Sequence, residues 1–220
     1  MGSLGSMATP RAASTTERPA LTRARVVAAA LELADQEGLE RLSMRRLATE
    51  LGVEAMSLYH HVADKSDLYD AMVGAVLDEV ELPIDGTWAE RVEAIAGELR
   101  RVSLAHSHAH QLVLTRGFRV PAVLRPADAL LEALRSSGMS DAEAVRGFWT
   151  LLSYVMGSVG CQLAEQPADG EDPDGADTCA AGVVPPAYPN VEAVADLLFV
   201  CDFDAQFEHG VATVLSSLTG

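Results

Sequence analysis

Apolar residues recur at intervals of three and four positions along most of the chain, which is the pattern of helices with one buried face. The first stripe follows Thr22, a typical N-cap residue, and stops before Gly38, a typical helix-ending residue. A second, shorter stripe follows Ser43 and stops before Gly52. The apolar members of the two stripes are Val26, Val27, Ala30, Leu31 and Ala34, and then Met44, Leu47, Ala48 and Leu51. Both segments are therefore predicted to be helices.

The stretch from Leu42 to Lys65 is predicted to contain two short helices separated by a glycine turn. Ala48 is small where the second helix has to cross closely, and Gly52 lies four residues later, where a tight turn requires positive φ. Val53 and Leu58 then return to the shared core. This spacing is typical of a helix-turn-helix, although the same residues would also suit an ordinary helix end in an all-helical protein.

A fourth helix is predicted to begin after Asp64, with Lys65 in its first turn and Asp67 at the capping-box position, and to run until Pro83. The helical period continues beyond Pro83, and no strand pattern competes with it. Further helices are predicted after Thr87, near 108–116, from Pro121 to Arg135, from Ser140 to about Glu165, near 190–201 and near 203–218. We therefore predict an all-α fold.

Two segments lack any apolar period. Residues 1–20 are predicted to form a flexible arm, and residues 166–190, rich in Pro, Gly and acidic residues, a mobile loop. Such a loop cannot bury enough apolar surface to offset the entropy lost on ordering. The predicted organisation is an arm at 1–20, a helix-turn-helix domain at 21–66, a linking helix at 67–83 and a C-terminal helical domain at 84–220.

The composition is that of a globular protein, since 49% of the 220 residues are hydrophobic. No run approaches about 18 uncharged apolar residues, and the N-terminus lacks the pattern of a signal peptide, so we expect a cytoplasmic protein without a membrane partner. Cys161, Cys179 and Cys201 lie far apart without a Cys-x-x-Cys motif, which argues against a disulfide framework or a zinc ribbon. We expect these thiols to be buried.

The net charge of −16 is unusual for a protein that binds nucleic acid, but it is unevenly distributed. Residues 1–66 hold eight Lys and Arg and eight Asp and Glu, whereas residues 67–220 hold the other eight basic and 24 acidic residues. A neutral N-terminal domain can contact phosphates through a few cations, while the acidic remainder faces away from a duplex. The same asymmetry also suits a protein that does not bind DNA. The charge distribution is therefore compatible with DNA binding but does not indicate it.

The run from Leu58 to Lys65, Leu-Tyr-His-His-Val-Ala-Asp-Lys, resembles the end of the DNA-binding domain of the tetracycline-repressor (TetR) family. In that family a Tyr-x-His-hydrophobic run closes the recognition helix and a Lys opens the next. The resemblance covers about residues 20–80 and implies a three-helix DNA-binding domain followed by a ligand-binding and dimerisation domain. The residues that it places at double-stranded DNA are Arg45, Ala55, Met56, Ser57, Tyr59, His60, His61 and Lys65.

The chemistry of three of these side chains suits DNA. Lys65 beside free N–H groups can clamp a phosphate, Tyr59 can donate its hydroxyl to one, and Arg45 can bind guanine in the major groove. Ala55 and Met56 depart from the family, whose members carry a hydrogen-bonding side chain near this position. Their apolar tips can contact thymine methyls but cannot form a bidentate bond with a base edge. If these residues do not contact DNA, Arg45 and Lys65 are solvated surface side chains and Tyr59 lies at the edge of the core.

The segment from Tyr154 to Gln166 resembles the long helix that pairs subunits in the tetracycline-repressor subclass. This resemblance implies a homodimer joined through this helix and the last one. Gly157 and Gly160 share one helix face, where missing side chains would let a partner helix approach closely, so we predict that they lie in the dimer seam. Since a two-fold dimer carries two recognition helices, the predicted operator is an imperfect palindrome.

Aromatic residues are only 5% of the chain, yet several lie in the C-terminal block among His and Arg residues. Aromatic walls with a few polar groups suit a flat hydrophobic ligand. We therefore predict a small apolar or aromatic effector that binds among Trp88, His106, His110, Phe118 and Trp149. For each of these residues the alternative is a place in a plain helical core.

Three histidines, His106, His108 and His110, form a candidate metal site, because residues four apart share a helix face. No nearby Cys, Asp or Glu supplies a third ligand. Where the tetracycline repressors carry a metal-linked His, the resemblance places Val113. We therefore predict neither a metal nor another cofactor.

These features predict a homodimeric transcriptional repressor that a small-molecule ligand releases from its operator. A dimeric helical sensor without DNA binding is an alternative, which Ala55 and Met56 keep open. A small all-helical enzyme that uses the histidine cluster is another. The chain has no Gly-x-Ser-x-Gly, phosphate loop or His-Glu-x-x-His motif, so we predict that it is not an enzyme.

Overall fold

The computed structural model describes residues 20–165, 188–200 and 202–218. The described regular elements are helical, which confirms the predicted all-α fold. The helices are α1 (Arg23–Glu37), α2 (Met44–Leu51), α3 (Ala55–Leu58), α4 (Lys65–Asp78), α5 (Trp88–Ala105), α6 (Ser107–Arg116), α7 (Leu124–Ser136), α8 (Asp141–Ala164), α9 (Pro189–Glu192), α10 (Ala195–Leu198) and α11 (Phe203–Leu218). Two 3₁₀ turns, Gly117–Arg119 and Pro121–Val123, connect α6 to α7.

Helices α2 and α3 form the predicted helix-turn-helix. The Ser43 hydroxyl accepts a hydrogen bond from the Arg46 amide at 3.1 Å and thereby caps α2. Gly52 ends α2 in the left-handed conformation at φ 66°, which favours glycine because a side chain would be strained there. Leu47 and Leu58 are fully buried on either side of this turn. The sequence therefore determines both the helix ends and the buried face.

Helix α4 starts in close contact with α1. The Asp64 side chain caps it by accepting from the Asp67 amide at 2.8 Å. The Asp67 carboxylate accepts from Arg23 on α1 at 2.6 Å and from the Ala63 amide at 2.8 Å, and these contacts lower the pKa of Asp67 to about 2. The helix ends at Asp78 rather than near Pro83, so the predicted linking helix is shorter than expected.

Helices α5, α7, α8 and α11 form the body of the C-terminal region. Complete capping boxes, Thr87 with Glu90 and Ser140 with Glu143, begin α5 and α8. Their inward faces supply a continuous core that includes Ile95, Leu130, Leu134, Leu151 and Val155. The long helix α8 thus packs against α5 and α7 on one side and α11 on another.

A tyrosine fixes the contact between α8 and α11. The Tyr154 hydroxyl donates to the carbonyl of Gln206 at 2.8 Å and contacts that of Phe207 at 3.2 Å. A Cβ atom at Gly210 would lie 2.0 Å from the Tyr154 ring, far below any van der Waals contact. Only glycine therefore allows Tyr154 to lie across α11 in this way.

Two expectations for the C-terminal region differ from the structure. The helix predicted near 190–201 is instead two short helices, α9 and α10, whose exposed Leu197 and Leu198 lack the packing that a longer isolated helix needs. Cys161 is exposed, not buried, because it lies on the outer face of α8. None of the described helices is both long and apolar enough to span a bilayer.

Other expectations concern residues outside the described part of the chain. These are the predicted arm at 1–20, apart from its last residue, and most of the predicted loop at 166–190. The expected burial of Cys179 and Cys201 also concerns residues that lie outside the described ranges. These expectations stay predictions.

Candidate DNA interface and effector cavity

The side chains predicted to contact DNA lie on α2, on α3 and at the segment that leads into α4. Arg45, Met56, Tyr59, His60 and Lys65 are exposed, whereas Ala55, Ser57 and His61 are partly buried. Met56 leaves 72% of its surface exposed, although it is a large apolar side chain at the start of the predicted recognition helix. Ala55 packs against the core, so it presents little surface to a partner.

Two neighbouring arginines on α2 differ in their availability. Arg46 binds Glu37 at 2.6 Å and Glu50 at 2.8 Å, which fixes its guanidinium on the surface of the domain. No hydrogen bond or ion pair holds the guanidinium of Arg45 within the part of the chain that the structure describes. Arg45 can therefore extend towards a base edge, as the sequence predicts, while Arg46 has a structural contact.

The segment between α3 and α4 is held against α1. Arg23 donates to the His61 carbonyl at 2.7 Å as well as binding Asp67. Lys65 follows at the first position of α4, with its Nζ 5.3 Å from the centre of the Tyr69 ring. It is the single lysine of the chain. A cation thus lies beside free backbone N–H groups, an arrangement that suits a phosphate.

A cavity of about 360 Å³ lies in the C-terminal region, among α4, α5, α6, α7 and α8. Aliphatic and aromatic side chains form nearly all of its walls, and Ser153 supplies the hydroxyl. No charged side chain is among its described lining residues. We call this space the inner cavity. Its volume and apolar walls are those of a site for a small organic molecule.

Three aromatic rings form one wall of the inner cavity. The Phe118 ring lies 6.1 Å from that of Phe148 and 5.6 Å from that of Trp149, and the Phe148 and Trp149 rings are 5.4 Å apart, edge to face. Phe118 and Trp149 are about half exposed, at 45% and 51%. The aromatic wall therefore separates the cavity from the surface.

His110 lies behind the cavity wall, one helical turn before Val113 and Leu114, which line the cavity. Only 3% of its surface is exposed, and neither ring nitrogen has a hydrogen-bond partner within the described structure. Burial lowers the pKa of His110, and only the nearby Met156 backbone acts in the opposite direction. The ring is thus a neutral polar group without a partner beside an apolar cavity.

The five residues predicted for one effector site are not all together. Phe118 and Trp149 line the inner cavity, and His110 lies next to it. Trp88 is half-buried at the start of α5, outside the lining. His106 instead bridges two carboxylates, with Nδ1 3.0 Å from Asp35 and Nε2 3.2 Å from Glu79. His106 therefore joins α1 and the end of α4 to the α5–α6 junction.

Residues 26–72 match the family described as "Bacterial regulatory proteins, tetR family". Residues 82–219 match "Tetracyclin repressor-like, C-terminal domain". The chain is 33% identical to the HTH-type transcriptional repressor DrrR1 of Streptomyces coeruleorubidus, over 96% of this chain and 82% of that protein. It is 38% identical to an HTH-type transcriptional regulator of Saccharopolyspora erythraea, over 66% of this chain but only 62% of that protein's length.

Solved structures agree with these matches. The crystal structure of ActR from Streptomyces coelicolor in complex with actinorhodin has a TM-score of 0.76 and 32% identity, covering 91% of this chain and 97% of that one. The chain belongs to the TetR family. It is a DNA-binding transcriptional repressor that a small-molecule ligand regulates. Both the family and this function were predicted from the sequence.

An arginine connects the inner cavity of this TetR-family repressor to the helix that begins with Lys65. Arg116 lies between Leu114 and Gly117, two lining residues. Its Nη2 donates to the carbonyl and the hydroxyl of Ser66, each at 2.6 Å. The last turn of α6 is therefore bonded to the first turn of α4.

Several residues that line the inner cavity of this TetR-family protein were not predicted from the sequence. On α8, Leu152, Ser153 and Met156 line the cavity together with Trp149. These positions recur at spacings of three and four, so the pattern shows that they share a helix face. It does not show whether that face meets the core or a cavity. Among the described residues, no three His, Cys, Asp or Glu side chains form a group that could hold a metal ion.

Proposed function

We propose that this repressor binds an imperfect palindrome as a homodimer and leaves it when an uncharged, mainly apolar aromatic molecule enters the inner cavity. The observation that supports the effector is the inner cavity itself, with its apolar walls and its aromatic wall of Phe118, Phe148 and Trp149. The proposed DNA contacts are Arg45, Ala55, Met56, Ser57, Tyr59, His60, His61 and Lys65. Since its partner is an operator, we place its action in the cytoplasm.

The polarity of the inner cavity limits the effector. An ionised group would lose its hydration there without gaining an opposite charge, which is strongly unfavourable. Ser153 can form a hydrogen bond with one polar atom of the ligand. His110 could accept or donate one more bond if the wall around it shifts by a small distance, and its present lack of a partner favours such a shift. The effector therefore needs no metal and no charge within the cavity.

Coupling to DNA follows from the contacts of α4. Leu77, near its C-terminal end, lines the inner cavity, and Ser66 at its start is bonded to Arg116. A ligand that fits the cavity better after α4 has shifted favours the arrangement in which Lys65 and the recognition helices no longer match the operator. Changing operator occupancy from 99:1 to 1:99 requires about 5.5 kcal/mol of such preference.

The dimer seam is proposed on the outer face of α8. Within one protomer, a Cβ at Gly157 or Gly160 would have no atom within 4 Å, so this face has space for another helix. A partner helix can approach closely where side chains are missing. Two protomers joined there would carry two recognition helices for the two half-sites.

A binding assay tests both parts of the proposal. Purified protein is titrated against the promoter region next to its gene, with and without the three-ring aromatic compound emodin as a probe. We expect specific binding that emodin releases. Trp149→Ala should abolish release while changing operator affinity by less than about tenfold. Trp88→Ala, a tryptophan outside the cavity, is the matched control and should still respond.

Three other results of this assay would each contradict one part of the proposed function. Absence of specific DNA binding would contradict the repressor and favour a sensor without an operator. Unchanged release in Trp149→Ala would remove Trp149 from the site. Release that disappears with EDTA and returns with zinc or magnesium would contradict the metal-free effector.

A further inference from the structure

A second, open groove lies on the other side of the aromatic wall. It has a volume of about 620 Å³, and we call it the outer groove. Phe118, Phe148 and Trp149 line both the outer groove and the inner cavity. The two spaces are therefore adjacent, and the same three rings separate them.

The exposed apolar surface of this region is concentrated on these two spaces. Between residues 85 and 165, the large hydrophobic side chains with high exposure are Leu114, Phe118, Leu124, Val145 and Trp149. Each of them lines the inner cavity or the outer groove. A contiguous exposed apolar surface usually marks a binding site. Because the two spaces share lining residues, a single ligand can reach both of them.

The outer groove differs from the inner cavity in its polar groups. Arg125 and Asp128, one turn apart on α7, are its charged residues. Arg125 is held in place, since its Nη2 donates to the carbonyls of Leu77 at 2.9 Å and Val80 at 2.8 Å. The described hydrogen bonds of Arg125 all use Nη2, and its Nη1 and Nε atoms have none among the described residues.

Opposite charges in one groove favour neutral groups that both donate and accept hydrogen bonds. A guanidinium only donates and a carboxylate only accepts, so adjacent hydroxyls of one ring can satisfy both. The half-exposed rings of Trp149 and Phe118 add flat apolar surfaces for the C–H faces of such a ring. An anionic group would be attracted by Arg125 but repelled by Asp128.

From this juxtaposition we propose that the effector is an aromatic glycoside or a similar polyhydroxylated aromatic. Its flat ring system fills the inner cavity, and its hydroxylated ring extends past Phe118 and Trp149 into the outer groove, between Arg125 and Asp128. The inference rests on the proposed function, because it extends the same effector site.

Calorimetric titration of the full-length protein with emodin and with its 6-O- and 8-O-glucosides tests the proposal. We expect at least one glucoside to bind about tenfold more tightly than emodin. Asp128→Ala should remove that preference and leave emodin affinity within about twofold. Asp128 has no hydrogen bond or ion pair among the described contacts, so the variant should fold normally. Glu132→Ala, at an acidic residue of α7 that binds Arg91 and lies outside both spaces, is the control; it should keep the preference, with folding checked by thermal unfolding.

The failures of the two proposals differ. Binding of emodin with equal or weaker binding of both glucosides would overturn the hydroxylated extension. A preference that survives in Asp128→Ala would also overturn it. Binding of none of the three compounds would contradict the aromatic effector cavity, and the extension with it.

Discussion

Arg116 and Asp70 form an ion pair, with Nε 2.7 Å from Oδ1, across the boundary between α6 and α4. The arginine side chain is mostly buried, and its guanidinium also lies over the Tyr69 ring, 5.5 Å from its centre. The same ring contacts Lys65. A displacement of the α6 end by a ligand would therefore reach the proposed phosphate contact through directly touching side chains.

Lys65 offers a test by chemical labelling. Because it is the only lysine, an amine-reactive acylating reagent should modify Lys65 and the N-terminal amine and no other side-chain amine. We expect operator DNA to protect Lys65 from modification, measured by peptide mass spectrometry, and Lys65→Ala to lower the salt slope of binding by about 0.9. Equal labelling of Lys65 with and without operator would contradict the phosphate contact.

Met56 should recognise a thymine methyl group. Its side chain is exposed at the start of the recognition helix and cannot form a hydrogen bond to a base edge, so the apolar methyl is the feature it can read. Replacing single thymines of the operator with deoxyuridine removes only that methyl. We expect one position per half-site to lose affinity with the wild type and not with Met56→Ala. A loss of equal size in both proteins would exclude this contact.

The glycines of α8 should determine assembly. Gly157→Leu with Gly160→Leu is expected to overpack the proposed seam and yield monomers in sedimentation velocity. Gly97→Leu is the control, because a Cβ at Gly97 on α5 would likewise have no atom within 4 Å and each Gly→Leu substitution gains the same helix propensity. A double variant that sediments as a dimer and unfolds at the wild-type temperature would move the seam elsewhere.

His110 should make stability fall with acid. Its pKa is lowered in the folded protein, so below the unfolded value of about 6.5 the unfolded chain binds a proton that the folded chain excludes. Stability should therefore be full above that pH and decrease as the pH falls below it. Urea unfolding between pH 7.5 and about 5.5 should show this loss in the wild type and less of it in His110→Leu. His108→Leu, at an exposed histidine, should behave like the wild type.

Local signals allowed much of the fold to be predicted. Ser43, Gly52, Thr87 and Ser140 act on backbone groups within four residues, so their effects depend on nearby sequence alone. The side chains proposed to contact DNA lie close together in the sequence, between Arg45 and Lys65, and their contacts with DNA stay a prediction. The ends of α4 and the division of residues 190–201 depend on packing, and those expectations were inaccurate.

The residues of the effector cavity could not all be predicted, because helix packing brings together residues that are distant in the sequence. Phe118 and Trp149 meet across the cavity wall only because α8 packs beside the turn after α6. His106 resembled a pocket residue in the sequence, yet Asp35 and Glu79, which bind it, lie 71 and 27 residues away. The relative positions of helices decide such contacts, and an apolar period gives only the face that each helix buries.

The contact of Tyr154 with Gly210 constrains how this protein can evolve or be recombined. A larger residue at 210 is tolerated only after Tyr154 has been replaced by a smaller residue. Tyr154 itself can be replaced first, because Gly210 leaves space for tyrosine and for smaller side chains. Chimeras that join α8 and α11 from different parents should therefore succeed in one direction only. A parent with glycine at 210 accepts this α8, and a parent with any larger residue there rejects it.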